Sequence, residues 1–173
     1  AYFIKSERHF APEPGIHGGE GEWRVEEPRI HWPILDAVRD AAGELGIPKI
    51  EDFNRGDNEG SSYFQVNQRK GVRWNTAKAF LRPVLDRQNL NVMTGITVER
   101  LRLKDRRATG IECRMAGEAV GMAARKEVIL AAGAIGSPQI LQLSGIGPGA
   151  VLRSAGVDVV HELAGVGGNL QDH

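Results

Sequence analysis

Residues 127–143 constrain the fold more than any other stretch. Glu127 leads into the continuous apolar run Val128-Ile129-Leu130, followed by Ala131-Ala132-Gly133-Ala134 and then by Ser137-Pro138 and the apolar segment Ile140-Leu141. A short run with no polar alternation suits a strand covered on both faces in a parallel sheet. Ser137 suits a helix cap and Pro138 the first helical position. The segment predicts a buried strand, a turn of very small residues and a helix, the repeating unit of α/β architecture. In open α/β sheets, ligands bind beyond the carboxyl ends of the strands. The near-absence of side-chain bulk at 131–134 lets a large flat group approach the backbone there, and the helix start offers N–H groups to an anion. A plain, tightly packed strand–helix crossover uses small residues in the same way.

Around this segment the pattern is mixed, α/β with an α+β portion. Ile34, Leu35, Val38, Ala41, Ala42 and Leu45 fall on one face of a 3.6-residue period, predicting a helix over 33–45 with Pro33 at its start and Gly46-Pro48 as its stop. A second helix is expected from Asn75, an N-cap type, toward Leu81, limited by Pro83. Residues 62–67 and 89–95 read as strands. Alternation of Ile111, Cys113 and Met115 with Glu112 and Arg114 predicts a half-buried strand. With 98–103 before it and 120–124 after Gly117, it forms a small antiparallel meander whose first hairpin tip is Lys104-Asp105-Arg106-Arg107. A short helix near 149–155 leads into 157–163. Residues 1–30, broken by Pro12, Pro14, Gly15, Gly18, Gly19 and Gly21, are expected to be irregular.

Composition excludes several functions. The chain has 173 residues, 22 Lys plus Arg against 22 Asp plus Glu, and 41% hydrophobic residues. A balanced charge argues against nucleic-acid binding, and no apolar run reaches the roughly 20 residues of a membrane helix. The single Cys113 excludes an internal disulfide and a CxxC metal site. His9, His17, His31, His161 and His173 show no metal-ligand spacing, so no metal is expected, and each reads as a surface or hydrogen-bonded residue. His17 stands apart because it lies in a Gly-rich loop. Gly145-Ile146-Gly147 follows a helix rather than a strand and lacks the context of a dinucleotide fingerprint, while Gly165-Val166-Gly167-Gly168 reads as a turn. Ala1 in place of Met and an end just past a Gly-rich turn suggest an internal fragment. A cytoplasmic location is expected.

Seven segments in order resemble the glucose–methanol–choline (GMC) family of FAD-dependent oxidoreductases: FIKSE, GIHGGEG (15–21), NEGSSYFQ (58–65), GVRWNTAKAFLRP (71–83), RQNLNVMTG (87–95), AAGAIGSPQILQLSGIGP (131–148) and GVGGNLQDH (165–173). The likeness is greatest to its bacterial choline-dehydrogenase-like alcohol dehydrogenases. The resemblance implies a Rossmann-like FAD-binding domain, its middle portion at 71–173, and part of a substrate-side region at 1–70. It implies FAD as cofactor and a small-molecule alcohol as substrate, oxidised to a carbonyl by hydride transfer, with the electron acceptor open. By the same resemblance, Val98, Ala132, Gly133, Ala134 and Asn169 are cofactor-binding, and His17 and Gly18 belong to a loop on the substrate side. The GxGxxG unit and the catalytic His are expected outside this chain, so no catalytic residue is assigned and the segment alone is expected to be inactive. A FAD-retaining, hydroxynitrile-lyase-like relative and a truncated non-catalytic remnant or binding protein are the alternatives.

Overall fold

The computed structural model describes residues 1–172, which form two compact units, one of Ala1–Val92 and one beginning at Met93. The first opens with the short helix α1 (Tyr2–Ser6) and a parallel strand pair, β1 (Glu7–His9) beside β2 (Trp23–Val25), with Glu7 opposite Trp23 and His9 opposite Val25. The expectation of irregular chain over 1–30 is thereby corrected. The glycines and prolines break the chain only between the strands, and pairing across that loop is a tertiary effect that local propensity does not record.

Helix α2 (Pro33–Glu44) matches its predicted extent. Its end is a Schellman motif: Gly46 has φ +85°, its N–H bonds to the Gly43 carbonyl, and the Ile47 N–H reaches back to Ala42 at 2.9 Å. Gly156 closes the later helix over Gly149–Ser154 in the same way, with Val157 N–H bonded to Leu152 O. The apolar face of α2 is not covered by the described residues. Ile34 is 67% exposed and Val38 57%.

Residues 62–67 form no strand; Val66 makes one antiparallel bridge, to Glu26. The hairpin β3 (Gln68–Arg69) and β4 (Val72–Arg73) follows. Helical turns span Ala77–Leu81 and Arg82–Val84. Asn75 Oδ1 accepts the Lys78 N–H at 3.0 Å, the capping bond its residue type predicts. Trp74 is tied back by its indole N–H to the Glu22 carbonyl at 2.9 Å.

The second unit is built on the meander β5 (Ile96–Lys104), β6 (Arg107–Met115) and β7 (Glu118–Ala123), in the order β5-β6-β7 and antiparallel throughout. Positive φ at Asp105 and Arg106, and at Ala116 and Gly117, makes both hairpin turns of the primed kind that match strand twist. Arg100–Glu112 and Arg114–Glu99 pair across the strands at 2.6 and 2.9 Å. Residues 89–95, read as a strand, form none: Asn89 lies in a turn, the Leu90 N–H bonds back to the Arg87 carbonyl at 3.0 Å, and Gly95 is a bend.

The segment Glu127–Ala132 also differs from its expectation. It is assigned to no strand, and Ile129 is 78% exposed. A strand exists only where a neighbour takes up its N–H and C=O groups, and no strand among the described residues lies beside this one. Helix α3 (Gly133–Leu143) begins a turn earlier than Ser137. Ser137 instead accepts the Ala132 N–H on its hydroxyl at 2.9 Å, and Pro138 lies inside the helix. The backbone turn at Gly133, φ +81°, starts the helix before the side-chain signals appear. Beyond α3, β8 (Ile146–Gly147) pairs in parallel with β9 (His161–Glu162), α4 (Gly149–Ser154) crossing between them.

Apolar burial is sparse. Among the described residues, Ala79, Cys113, Leu152 and Val166 are the buried apolar ones. The chain exposes 13391 Å² at 18.8 kDa. Even two separate compact bodies of half that mass would expose only about 10,000 Å².

α3 and the meander are joined at Ser144, which is 7% exposed. Its hydroxyl accepts the Leu101 N–H at 2.8 Å and donates to the Ile140 carbonyl at 2.6 Å. Ser144→Ala strands the Leu101 N–H away from water, and we expect a loss of about 1–3 kcal/mol, read as a lower melting temperature of the intact protein.

Candidate functional site

Two places carry the sequence-derived candidates. The first lies in the second unit, at the start of α3. Ala131 to Ala134 are exposed, and the Cβ direction at Gly133 opens onto free space. Ala134, Ser137, Pro138 and Gln142 on α3 face the 165–171 loop across a cleft of about 640 Å³ that Asn169 also lines. The loop contains the turn expected at Gly165–Gly168 and is pinned by a bond from Gln142 Nε2 to the Val166 carbonyl at 3.1 Å. Asn169 adopts φ +55°, a left-handed conformation that Asn tolerates better than most residues. The structure thus gathers Ala134 and Asn169 at one cleft, with Ala132 and Gly133 at the adjoining helix start. Val98 lies apart from that cleft, half-buried on edge strand β5. His173 lies outside the described residues.

A flat cofactor with phosphates needs bare backbone, free N–H donors and room. The exposed small residues, the open Gly133 position and the first turn of the 11-residue helix α3 supply all three. The residues present therefore fit FAD.

The second place is in the first unit. His17, 6% exposed, is clasped by two carboxylates. Its Nδ1 lies 3.1 Å from Glu7 Oε2, and its Nε2 lies 2.6 Å from Asp52 Oδ2. Gly18 N–H also donates to Glu7 Oε2 at 2.9 Å, and Asn54 N–H to Asp52 Oδ1 at 2.8 Å. Gly18 is needed for close approach, because a Cβ there would run into the carbonyls of Ile4 and Glu7. His9 stacks on His17 with ring centroids 4.0 Å apart. Burial by itself disfavours a charged His17, but the bonds and charges of Asp52 and Glu7 more than offset it and raise its pKa above the ordinary value. Burial likewise works to raise Asp52. The Asn54 N–H bond and the His17 bond and charge outweigh it, holding Asp52 below its usual range.

Reading the sequence singled out His17 and Gly18 but missed Glu7, His9 and Asp52. Glu7 and Asp52 stand 10 and 35 positions from His17, a separation over which no local spacing carries a signal.

Comparison with known proteins bears on both places. A family model described as GMC oxidoreductase matches residues 5–173. The oxygen-dependent choline dehydrogenase of Photobacterium profundum is 39% identical over 175 residues, covering 99% of this chain and 31% of its own. The crystal structure of pyridoxine 4-oxidase from Mesorbium loti matches with TM-score 0.89 at 34% identity, over 94% of this chain and 32% of that one. An FAD-dependent oxidoreductase from Chaetomium thermophilum matches with TM-score 0.87 at 29% identity, over 95% and 31% of the two chains. The chain spans about a third of the length of the curated relatives it matches.

Asp52→Ala removes an acceptor from both His17 Nε2 and the Asn54 N–H. We expect it to cost about 2 kcal/mol near neutral pH. A carboxyl whose folded pKa is depressed contributes stability above its unfolded pKa and loses it as pH falls through the folded value. Melting curves of variant and parent should therefore converge in acid, below the ordinary Asp range.

Proposed function

Because this chain belongs to the GMC oxidoreductase family, we propose that it is a working part of an FAD-dependent alcohol dehydrogenase or oxidase. On this reading, 71–173 is the middle of the FAD-binding domain and 1–70 belongs to the substrate side. The observation that carries the proposal is the exposed run Ala131–Ala134 opening α3 beside the Asn169 loop.

FAD, when bound, supplies the hydride acceptor for oxidation of an alcohol carbon to a carbonyl. In this proposal Ala132, Gly133 and Ala134 hold the cofactor by letting the backbone come within hydrogen-bonding reach of it. The free N–H groups of the first turn of α3 favour its negatively charged part. Val98 contributes its backbone from the edge of the meander, where one side of β5 has no strand neighbour. Asn169 supplies a polar amide from the opposite wall of the cleft. His17 and Gly18 shape the substrate-side loop, and no residue of this chain is assigned as the catalytic base.

The uncovered apolar residues support the same reading. Ile129, Ile135 and Leu170 in the second unit and Ile34, Val38 and Leu45 in the first are all exposed. Large apolar side chains left exposed in this number are what other polypeptide covers in an assembled protein. A part of a larger flavoenzyme accounts for it, as a free-standing remnant does not.

Ala132 and Ala134 are exposed, so lengthening them disturbs little packing within the chain. In the intact protein, Ala132→Leu and Ala134→Leu should each weaken FAD binding about ten-fold, or about 1.4 kcal/mol, with little change in the melting temperature of the apoprotein. Flavin retained at parental affinity by both variants would sink the assignment. Anaerobic bleaching of the bound flavin by a panel of alcohols tests the reaction itself. A flavin that stays oxidised with every alcohol would favour a non-redox relative.

A further inference from the structure

The clasp around His17 draws on three separated pieces of chain: Glu7 on β1, the His17-Gly18 loop, and Asp52 beyond α2. Both ring nitrogens face a carboxylate oxygen. A neutral imidazole has one N–H and one lone pair. Whichever nitrogen carried the lone pair would set it against an oxygen lone pair, either at 3.1 Å from Glu7 or at 2.6 Å from Asp52. Only a ring protonated at both nitrogens donates to both carboxylates.

A metal ion would be the other way to bring these groups together. Glu7, His9 and His17 each offer a ligand atom, all within 4.8 Å of one another. The rings of His9 and His17, however, lie nearly parallel, 14° apart, at 4.0 Å. Imidazole lone pairs lie in the ring plane, and a bound ion sits roughly 2 Å from the nitrogen. Two stacked, nearly parallel rings with centroids 4.0 Å apart cannot both hold one such ion in their planes. These residues do not make a metal site, and the cation the carboxylates require is a proton.

We propose that His17 is folded into the protein as an imidazolium that latches the Asp52 loop onto β1, so that deprotonation releases this loop and loosens one wall of the cleft beside it. That cleft, about 550 Å³, is lined by His9, His17, Asp52, Arg39 and Tyr63. The titratable and charged groups around the ring are Glu7 and His9 from β1 and Asp52 from the loop, with Glu13 paired to Arg55 at 2.6 Å and Arg39 and His31 farther round the cleft. Asp52 and Glu7 raise the folded His17 pKa. The latch is therefore complete below the ordinary histidine pKa and lost as pH rises through the higher, folded value. It is a switch that opens above the ordinary histidine range.

Hydrogen exchange of the intact protein from about pH 6 to about pH 10, corrected for intrinsic exchange, reads the latch directly. The informative amides are Gly18, bonded to Glu7, and Asn54, bonded to Asp52. Their protection should fall about ten-fold or more along the alkaline limb, while the amides of β6 stay protected. His17→Gln should show low protection at every pH and no limb. Asp52→Asn keeps a hydrogen-bond acceptor but removes one charge, and should move the midpoint to lower pH. If His17→Gln does not fold, NMR of isotope-labelled histidine in the parent must show both ring nitrogens of His17 protonated at the acid end of that pH range. The proposal is overturned by protection that does not depend on pH, by an unchanged limb in Asp52→Asn, or by a single protonated nitrogen. It is also overturned if a chelator abolishes protection at neutral pH with stoichiometric release of a metal.

Discussion

Within each of the two units, hydrogen bonds rather than fully buried apolar side chains tie the elements to one another. With Ala79, Cys113, Leu152 and Val166 as the buried apolar residues among those described, the hydrophobic contribution that usually dominates folding is small within this chain. The strand ladders, the Schellman turns at Gly46 and Gly156, and a few polar side chains that bridge elements take its place. Ser144 does so between α3 and the meander, and His17 between β1 and the Asp52 loop. Such bonds specify geometry well but add only about 1 kcal/mol each. A chain held this way depends on further surface to cover its apolar side chains.

That dependence explains the character of both candidate places. At the start of α3, the residues that would touch a cofactor are those with the least side chain, and they stand exposed because nothing among the described residues covers them. Around His17 the opposite holds. A charged ring is buried to 6% exposure, both of its nitrogens face a carboxylate oxygen, and each carboxylate takes a further backbone N–H, which is what makes burial of the charge tolerable. The first place is open to a partner molecule. The second is closed on itself and responds to protons.

Where a residue's neighbours in sequence are also its neighbours in space, the sequence was a good guide. The apolar stripe of α2 with Pro33 and Gly46, the Asn75 cap, the alternation of Ile111, Cys113 and Met115, and the turns at Asp105-Arg106 and Gly165–Gly168 all reappear in the structure. Residues 62–67, 89–95 and 127–132 have strand-like composition but no ladder, because composition describes what a strand is made of and not whether a partner lies beside it. Ser137 and Pro138 look like a helix start, yet the helix begins at Gly133, whose positive φ leaves no mark in the sequence beyond the glycine itself. The small-residue run at 131–134, legible at once, gained its spatial meaning from the Asn169 loop across the cleft.

The order of seven family-like segments was enough, without coordinates, to identify a member of the GMC oxidoreductase family, and local pattern was enough for α2, the β5–β7 meander and the mixed α/β character. The company kept by His17 was beyond its reach. Glu7 is ten residues away and Asp52 thirty-five, and neither carries any periodic or motif signal linking it to the ring. Folding alone brings them within 3.1 and 2.6 Å, and it is that convergence of two carboxylates in a site shielded from water that turns an ordinary loop histidine into a buried cation.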